Sequence, residues 1–294
     1  SCSVNSNFII MGLPASGKTT FLAALWHLVE SDETICLLEL DAYEGDLTYL
    51  NRIAEAWRNF EAVPRTSQVG DMNVAIHLRN RETGEKGTAF FPDLAGEVFD
   101  RQVEDRIFRK DFMKNFSDDD GILFFISADV REDFLSVTEL NARLPSNVES
   151  EETLNNDSTD ENSENIITEW EPKLLPAQVK VVQLLSDIIR PPFEPCLRRI
   201  AILISAWDLV HDSGVTPNDW LEVNMPLVAQ FLKTNSDYFD HQIYGVSAQG
   251  VSLSDDTAVD EIATLLASRR IKIVGPESEG NDLTEPLVWL MSAG

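Results

Sequence analysis

A chain of 294 residues that is 43% hydrophobic can bury the core of one large α/β domain or two small ones. Its formal net charge of −27 excludes a duplex nucleic acid or an anionic bilayer as a general partner, and no run of 18 apolar residues offers a membrane-spanning helix. Three scattered cysteines, Cys2, Cys36 and Cys196, exclude a disulfide framework and zinc spacing and fit a reducing cytoplasm; Cys36 and Cys196, set among apolar residues, are expected as buried thiols.

The run Phe8-Ile9-Ile10-Met11 predicts a buried strand over 7–11, and Thr20 to Val29 continues a helix that begins near residue 18. A short apolar strand is expected over 35–40 and a helix over 46–60, with Leu50, Ile53, Ala54 and Trp57 at helical spacing. A loop follows from Val63 to Gly70. The stretches 72–78 and 88–92, separated by a turn at Thr83–Gly87, read as a β-hairpin. Phe99, Val103, Ile107, Phe112 and Phe116 predict a long helix over 98–116. The continuous apolar runs at 122–126, 200–204 and 242–246 have the character of parallel strands covered on both faces. Helices are expected over 177–190, 218–234 and 257–269. Between residues 148 and 164 there are seven acidic residues and no basic one, so this stretch reads as a solvated insertion that interrupts the domain.

Four motifs carry chemistry. Gly12-Leu13-Pro14-Ala15-Ser16-Gly17-Lys18-Thr19 has the full G-x-x-x-x-G-K-[ST] form between the first strand and the first helix. Its glycines let the backbone pass close to phosphates, the N–H groups from Ala15 to Thr19 point inward, Lys18 bridges the terminal phosphates and the Thr19 hydroxyl holds Mg²⁺. Asp93-Leu94-Ala95-Gly96-Glu97 follows the hairpin. There Asp93 can reach the magnesium shell through water, and the Gly96 N–H can meet a γ-phosphate. Ser205-Ala206-Trp207-Asp208 follows the strand at 200–204, and a carboxylate at Asp208 accepts from N1 and the exocyclic amino group of guanine, a pair that adenine lacks. Ser247-Ala248-Gln249 follows the strand at 242–246, where its backbone can meet the guanine oxygen.

With these motifs in this order, the chain resembles a Ras-like small GTPase domain of the P-loop class. More narrowly, it is similar to bacterial double-GTPase proteins found in gene clusters linked to conflict or antiphage defence. The resemblance implies a three-layer α/β P-loop NTPase fold with a mostly parallel central sheet and one antiparallel edge hairpin. It implies a single G domain over 1–294 that contains the acidic insertion, drawn at 131–176. The nucleotide, GTP or GDP, is then held by Gly12, Ala15, Ser16, Gly17, Lys18, Thr19, Thr20 and Gly96, with Ser205, Trp207, Asp208, Ser247, Ala248 and Gln249 around its base. Mg²⁺ falls to Thr19, Asp93 and a first-switch hydroxyl assigned to Thr66, with Ser67 as the alternative. Lys18, Thr66 and Glu97 are the catalytic candidates.

Two positions depart from the family pattern. Glu97 occupies the place of the water-orienting glutamine, where its charge opposes the γ-phosphate oxygens. Ala206 replaces the lysine whose stem packs over the base; Trp207 either supplies a substitute platform or belongs to the core. The implied activity is Mg²⁺-dependent hydrolysis of GTP in a nucleotide-dependent switch that an effector or complex protein reads, and a homodimer and a hetero-complex are both compatible. Two rival readings share the phosphate loop. One is a nucleotide-binding scaffold with little hydrolysis. The other is a P-loop ATPase or nucleotide kinase, although a kinase needs an acceptor pocket and a basic lid.

Overall fold

The apolar run at the start of the chain forms the centre of β1 (Ser6–Gly12), and the phosphate loop leads directly into α1 (Lys18–Ser31). The computed structural model describes residues 6–63, 73–92, 120–130, 175–191 and 193–292. The expected helix over 98–116, the acidic stretch at 148–164 and almost all of 131–176 lie outside the described residues.

A single sheet has the order β2-β3-β4-β1-β5-β6-β7-β8-β9. Its centre is a parallel set formed by β4 (Lys86–Phe91), β1, β5 (Gly121–Ser127), β6 (Arg198–Ser205) and β7 (Phe239–Ser247). The hairpin partner β3 (Val74–Asn80) runs antiparallel to β4, and β2 (Leu38–Glu44) runs antiparallel to β3. A second antiparallel extension, β8 (Lys272–Val274) and β9 (Glu279–Gly280), leaves the far side of β7. The expectation of one antiparallel edge is therefore corrected to two. The strands β8 and β9 are too short to carry a readable alternation.

The sequence also misplaces β2. Ile35 is 89% exposed, and pairing begins only at Leu38, where the N–H groups of Leu37 and Leu38 donate to Asp282 Oδ2 and Thr284 Oγ1. From there Glu39 lies opposite Arg79 and Leu40 opposite Leu78. Ion pairs join the outer strands: Glu39 with Arg79 and Arg81, Asp41 with Lys86 at 2.8 Å, and Glu44 with His77 at 3.5 Å.

Alternation along β1 splits the core in two, as the period of a strand requires. Phe8 and Ile10 join Phe21 and Leu25 of α1, Leu50 and Trp57 of α2 (Leu47–Arg58), and Leu287 near the C-terminus. Ile9 and Met11 join Val181 and Leu184 of α3 (Ala177–Ile188), together with Trp220 of α4 (Pro217–Asn224) and Val228 of α5 (Pro226–Thr234). Each such fully buried side chain contributes about 1.5–3 kcal/mol of transfer free energy.

The helix expected over 218–234 breaks between Asn224 and Pro226. Proline has no N–H to give the preceding turn and is well placed only at the start of the next helix. The helix expected over 257–269 likewise divides into α6 (Asp256–Ile262) and α7 (Ala267–Arg270). The chain closes on α8 (Glu285–Met291), where Arg199 lies 5.3 Å from the Trp289 ring centroid and donates to the Trp289 carbonyl at 2.8 Å. Cys36 is buried, and burial, then the nearby Asp282 charge, pushes its thiol up to about 12. Cys196 is only half-buried, contrary to expectation. Among the described residues no helix is long and apolar enough to cross a membrane.

Candidate functional site: a cavity at the carboxyl ends of the parallel strands

The parallel strands β1, β5, β6 and β7 all end on one rim of the sheet. In an open α/β sheet that rim is where a ligand crevice forms, beside the strand at which the chain changes direction. The last residues, Gly12, Ser127, Ser205 and Ser247, lead into four neighbouring loops. Parts of these loops enclose a cavity of about 310 Å³. Ala15, Gly17 and Thr20 line one end, and Asp208, Ala248 and Gln249 line the other.

The phosphate loop owes its path to two glycines. Gly12 has φ 153°, and a Cβ there would meet Ser16 Oγ at 2.7 Å and the Phe125 carbonyl at 2.9 Å. Gly17 has φ 93°, and a Cβ there would come within 2.8 Å of the Ser205 Cβ. The loop is therefore pressed against β5 and β6. The Ser205 hydroxyl completes the contact by donating to the Ser16 carbonyl at 2.7 Å. This bond ties the phosphate loop to the loop carrying Asp208.

The Lys18 side chain folds back along the loop. Its ammonium donates to the carbonyls of Gly12 at 2.8 Å and Leu13 at 2.7 Å, and to Ser16 Oγ at 3.2 Å. Thr19 and Thr20 occupy the first turn of α1. No side chain caps that helix start, and no acidic residue lies in its first turn. A helix start of this kind presents N–H groups and the positive end of the helix dipole, which favour an anion.

At the opposite end Asp208 Oδ1 accepts from Ser247 Oγ at 2.8 Å, and Ser247 Oγ itself accepts from the Gly250 N–H at 3.1 Å. This chain of bonds fixes the orientation of the carboxylate. Among the described residues no lysine or arginine lines the cavity.

Trp207 does not take part. It is fully buried on the α3–α5 side of the sheet, against Gly245, where a Cβ would lie 2.4 Å from the indole Cδ2. Of the two positions that the sequence left open for Trp207, it takes the one in the core. The backbone explains the turn: Ala206 has φ 54° and ψ 36°, a left-handed conformation that directs the next side chain into the core. A non-glycine residue pays about 1–2 kcal/mol for that conformation, against an entropic cost of about 0.5–1 kcal/mol for glycine. Ala206→Gly is therefore expected to stabilise the fold by about 0.5–1 kcal/mol in denaturant unfolding. A loss of stability would mean that the alanine methyl makes contacts outweighing the strain.

Thr66, Ser67, Asp93, Gly96 and Glu97 lie outside the described residues. The cavity also has residues that the motif reading missed. Ser127 ends β5 and Asp129 follows it, while Leu209 and Val251 come from the loops after β6 and β7. The position of Ser127 and Asp129 at the carboxyl end of a parallel strand is the signal that could have found them.

No curated protein matches the chain. Solved structures that resemble it at low identity include two GTP-bound ones. One is the GTP-bound GTPase-like domain of Ski7 from S. cerevisiae, with 13% identity, a TM-score of 0.44, and coverage of 98% of this chain and 50% of that one. The other is the GTP-bound SRb/SRX complex of the signal recognition particle receptor from Chaetomium thermophilum, with 12% identity, a TM-score of 0.37, and coverage of 83% and 91% respectively. This chain thus spans about half the length of the Ski7 chain that it matches, 50%. The model of the Double-GTPase 1 family matches residues 9–290, and the chain belongs to that family.

Proposed function

We propose that this protein binds GTP in the cavity at the strand ends, with its phosphates in the loop at Gly12–Thr19 and its base at Asp208, and hydrolyses it to GDP and phosphate. The observation that carries this reading is one cavity with an uncapped helix start behind a phosphate loop at one end and an oriented carboxylate at the other. Family membership supports it.

In this reading Lys18 leaves its loop carbonyls for the β- and γ-phosphate oxygens, and α1 N–H groups stabilise the charge that develops there. The Thr19 hydroxyl is a hard oxygen donor of the kind Mg²⁺ takes, together with phosphate oxygens and water. When bound, the metal neutralises charge on the transferring phosphoryl group. Asp93, Thr66, Gly96 and Glu97 retain the roles given by the family resemblance. The protein acts as a cytoplasmic switch formed by one G domain, and a partner reads its nucleotide state.

The test is calorimetric titration of the purified chain with GTP, GDP and ATP in Mg²⁺, followed by measurement of released phosphate. Preference for guanine nucleotides and turnover of GTP are expected. Preference for ATP overturns the assignment of Asp208. Tight GTP binding without phosphate release overturns hydrolysis and leaves a scaffold.

A further inference from the structure

The base loop after β7 is held from behind by a helix that lies elsewhere in the sequence. Trp57, fully buried in the last turn of α2, donates its indole Nε1–H to the Ala248 carbonyl at 2.9 Å. Gln249 returns a bond, its Nε2 donating to the Trp57 carbonyl at 3.1 Å. Arg270 of α7 closes the group. Its guanidinium donates to the carbonyls of Trp57 at 3.3 Å and Arg58 at 3.2 Å, and lies 4.8 Å from the Trp57 ring centroid and 4.0 Å from that of Phe60. The Trp57 carbonyl also accepts from the Phe60 N–H at 3.3 Å, so the base loop and α7 add side-chain bonds to a helix end that the following turn already caps in part. The loop is also packed tightly, since a Cβ on Gly250 would fall 2.4 Å from the Arg270 carbonyl.

We propose that Trp57 is a positioning residue for the base of the nucleotide: through Ala248 and Gln249, both of which line the cavity, it fixes the base loop before the ligand arrives. The inference rests on the guanine-nucleotide reading above. A loop whose backbone is already held loses less freedom on binding, and the affinity rises accordingly. The effect belongs to the base end of the ligand. The phosphate loop is anchored separately, through Ser205 and the Gly12 and Gly17 contacts.

This separation supplies the test. Trp57→Phe keeps an aromatic ring and removes the indole N–H. The full-length chain and this variant are titrated with GTP, GDP and inorganic triphosphate, each with Mg²⁺, and their thermal unfolding is recorded. GTP and GDP are expected to weaken by a common factor of about five- to tenfold, the scale of one hydrogen bond, while triphosphate binds as before. Unchanged affinity for GTP and GDP overturns the proposal. Equal weakening of all three ligands also overturns it, because a general loosening of the fold would act on the phosphate end too. Should Trp57→Phe fail to fold, Arg270→Lys removes the guanidinium contacts on the Trp57 carbonyl while keeping the charge. It is expected to give the same split between base and phosphate at a smaller factor, and no split overturns the proposal. A wild-type protein that prefers ATP refutes the guanine reading itself, and the inference falls with it; a wild-type preference for GTP together with unchanged GTP and GDP affinity in Trp57→Phe refutes only the role of Trp57.

Discussion

Lys18→Ala is expected to weaken GTP binding at least about 100-fold, as read by calorimetric titration with Mg²⁺. A hydrogen bond to a charged group contributes about 1.5–3 kcal/mol, and the proposed role gives the ammonium two phosphate oxygens, so the combined loss exceeds about 3 kcal/mol. The lysine also has a task without nucleotide, holding the carbonyls of Gly12 and Leu13. Its removal therefore costs about 1–2 kcal/mol of stability as well, from carbonyls that lose their donor. Lys18→Met, which retains most of the aliphatic stem, separates the two effects. It is expected to recover packing without recovering affinity. If either variant bound GTP within tenfold of the wild type, the phosphates would have to sit elsewhere.

Asp208→Asn is expected to exchange guanine for xanthine selectivity. A carboxylate accepts twice, which matches the N1–H and amino group of guanine. An amide accepts once and donates once, which matches N1–H and the 2-oxo group of xanthine. The Ser247 hydroxyl, 2.8 Å from Asp208 Oδ1, can donate equally to the amide oxygen, so the side chain keeps its orientation. Leaving one base donor without an acceptor, or setting two donors against each other in a half-enclosed cavity, costs about 2–3 kcal/mol. GTP should thus lose about 30- to 100-fold and xanthosine triphosphate should gain. The measurement is a pair of titrations on each protein. Equal loss for both nucleotides would show that Asp208 supports the loop without reading the base.

How much of this was legible in the sequence depended on how each feature is encoded. The runs at 8–11, 122–126 and 200–204 became central strands because parallel strands buried on both faces need continuous apolar residues. The phosphate loop was readable because its glycines answer local demands, the crowding against Ser16 and Ser205. The errors have a common cause in tertiary contacts. Ile35 and Leu37 resemble strand residues, yet pairing begins at Leu38, where β3 provides a partner. Trp207 is no such error: the core position, one of the two left open for it, is the one it takes, in the space left by Gly245, 38 residues on. The bond from Trp57 to Ala248 spans 191 residues and leaves no local pattern in either segment.

The outer strand β2 has a further consequence. It terminates the sheet order, and a terminal strand offers its backbone to any other extended chain. Here that strand carries Glu39, Asp41 and Glu44, which meet Arg79, Lys86 and the His77 imidazole on its inner neighbours. A second copy approaching strand to strand would bring the same acidic row against its twin. The resulting repulsion guards against edge-on polymerisation into fibrils. The Lys86 ammonium, chiefly by its hydrogen bond, holds the Asp41 carboxyl below the usual range, so this protection persists into more acidic solution than an isolated aspartate would allow.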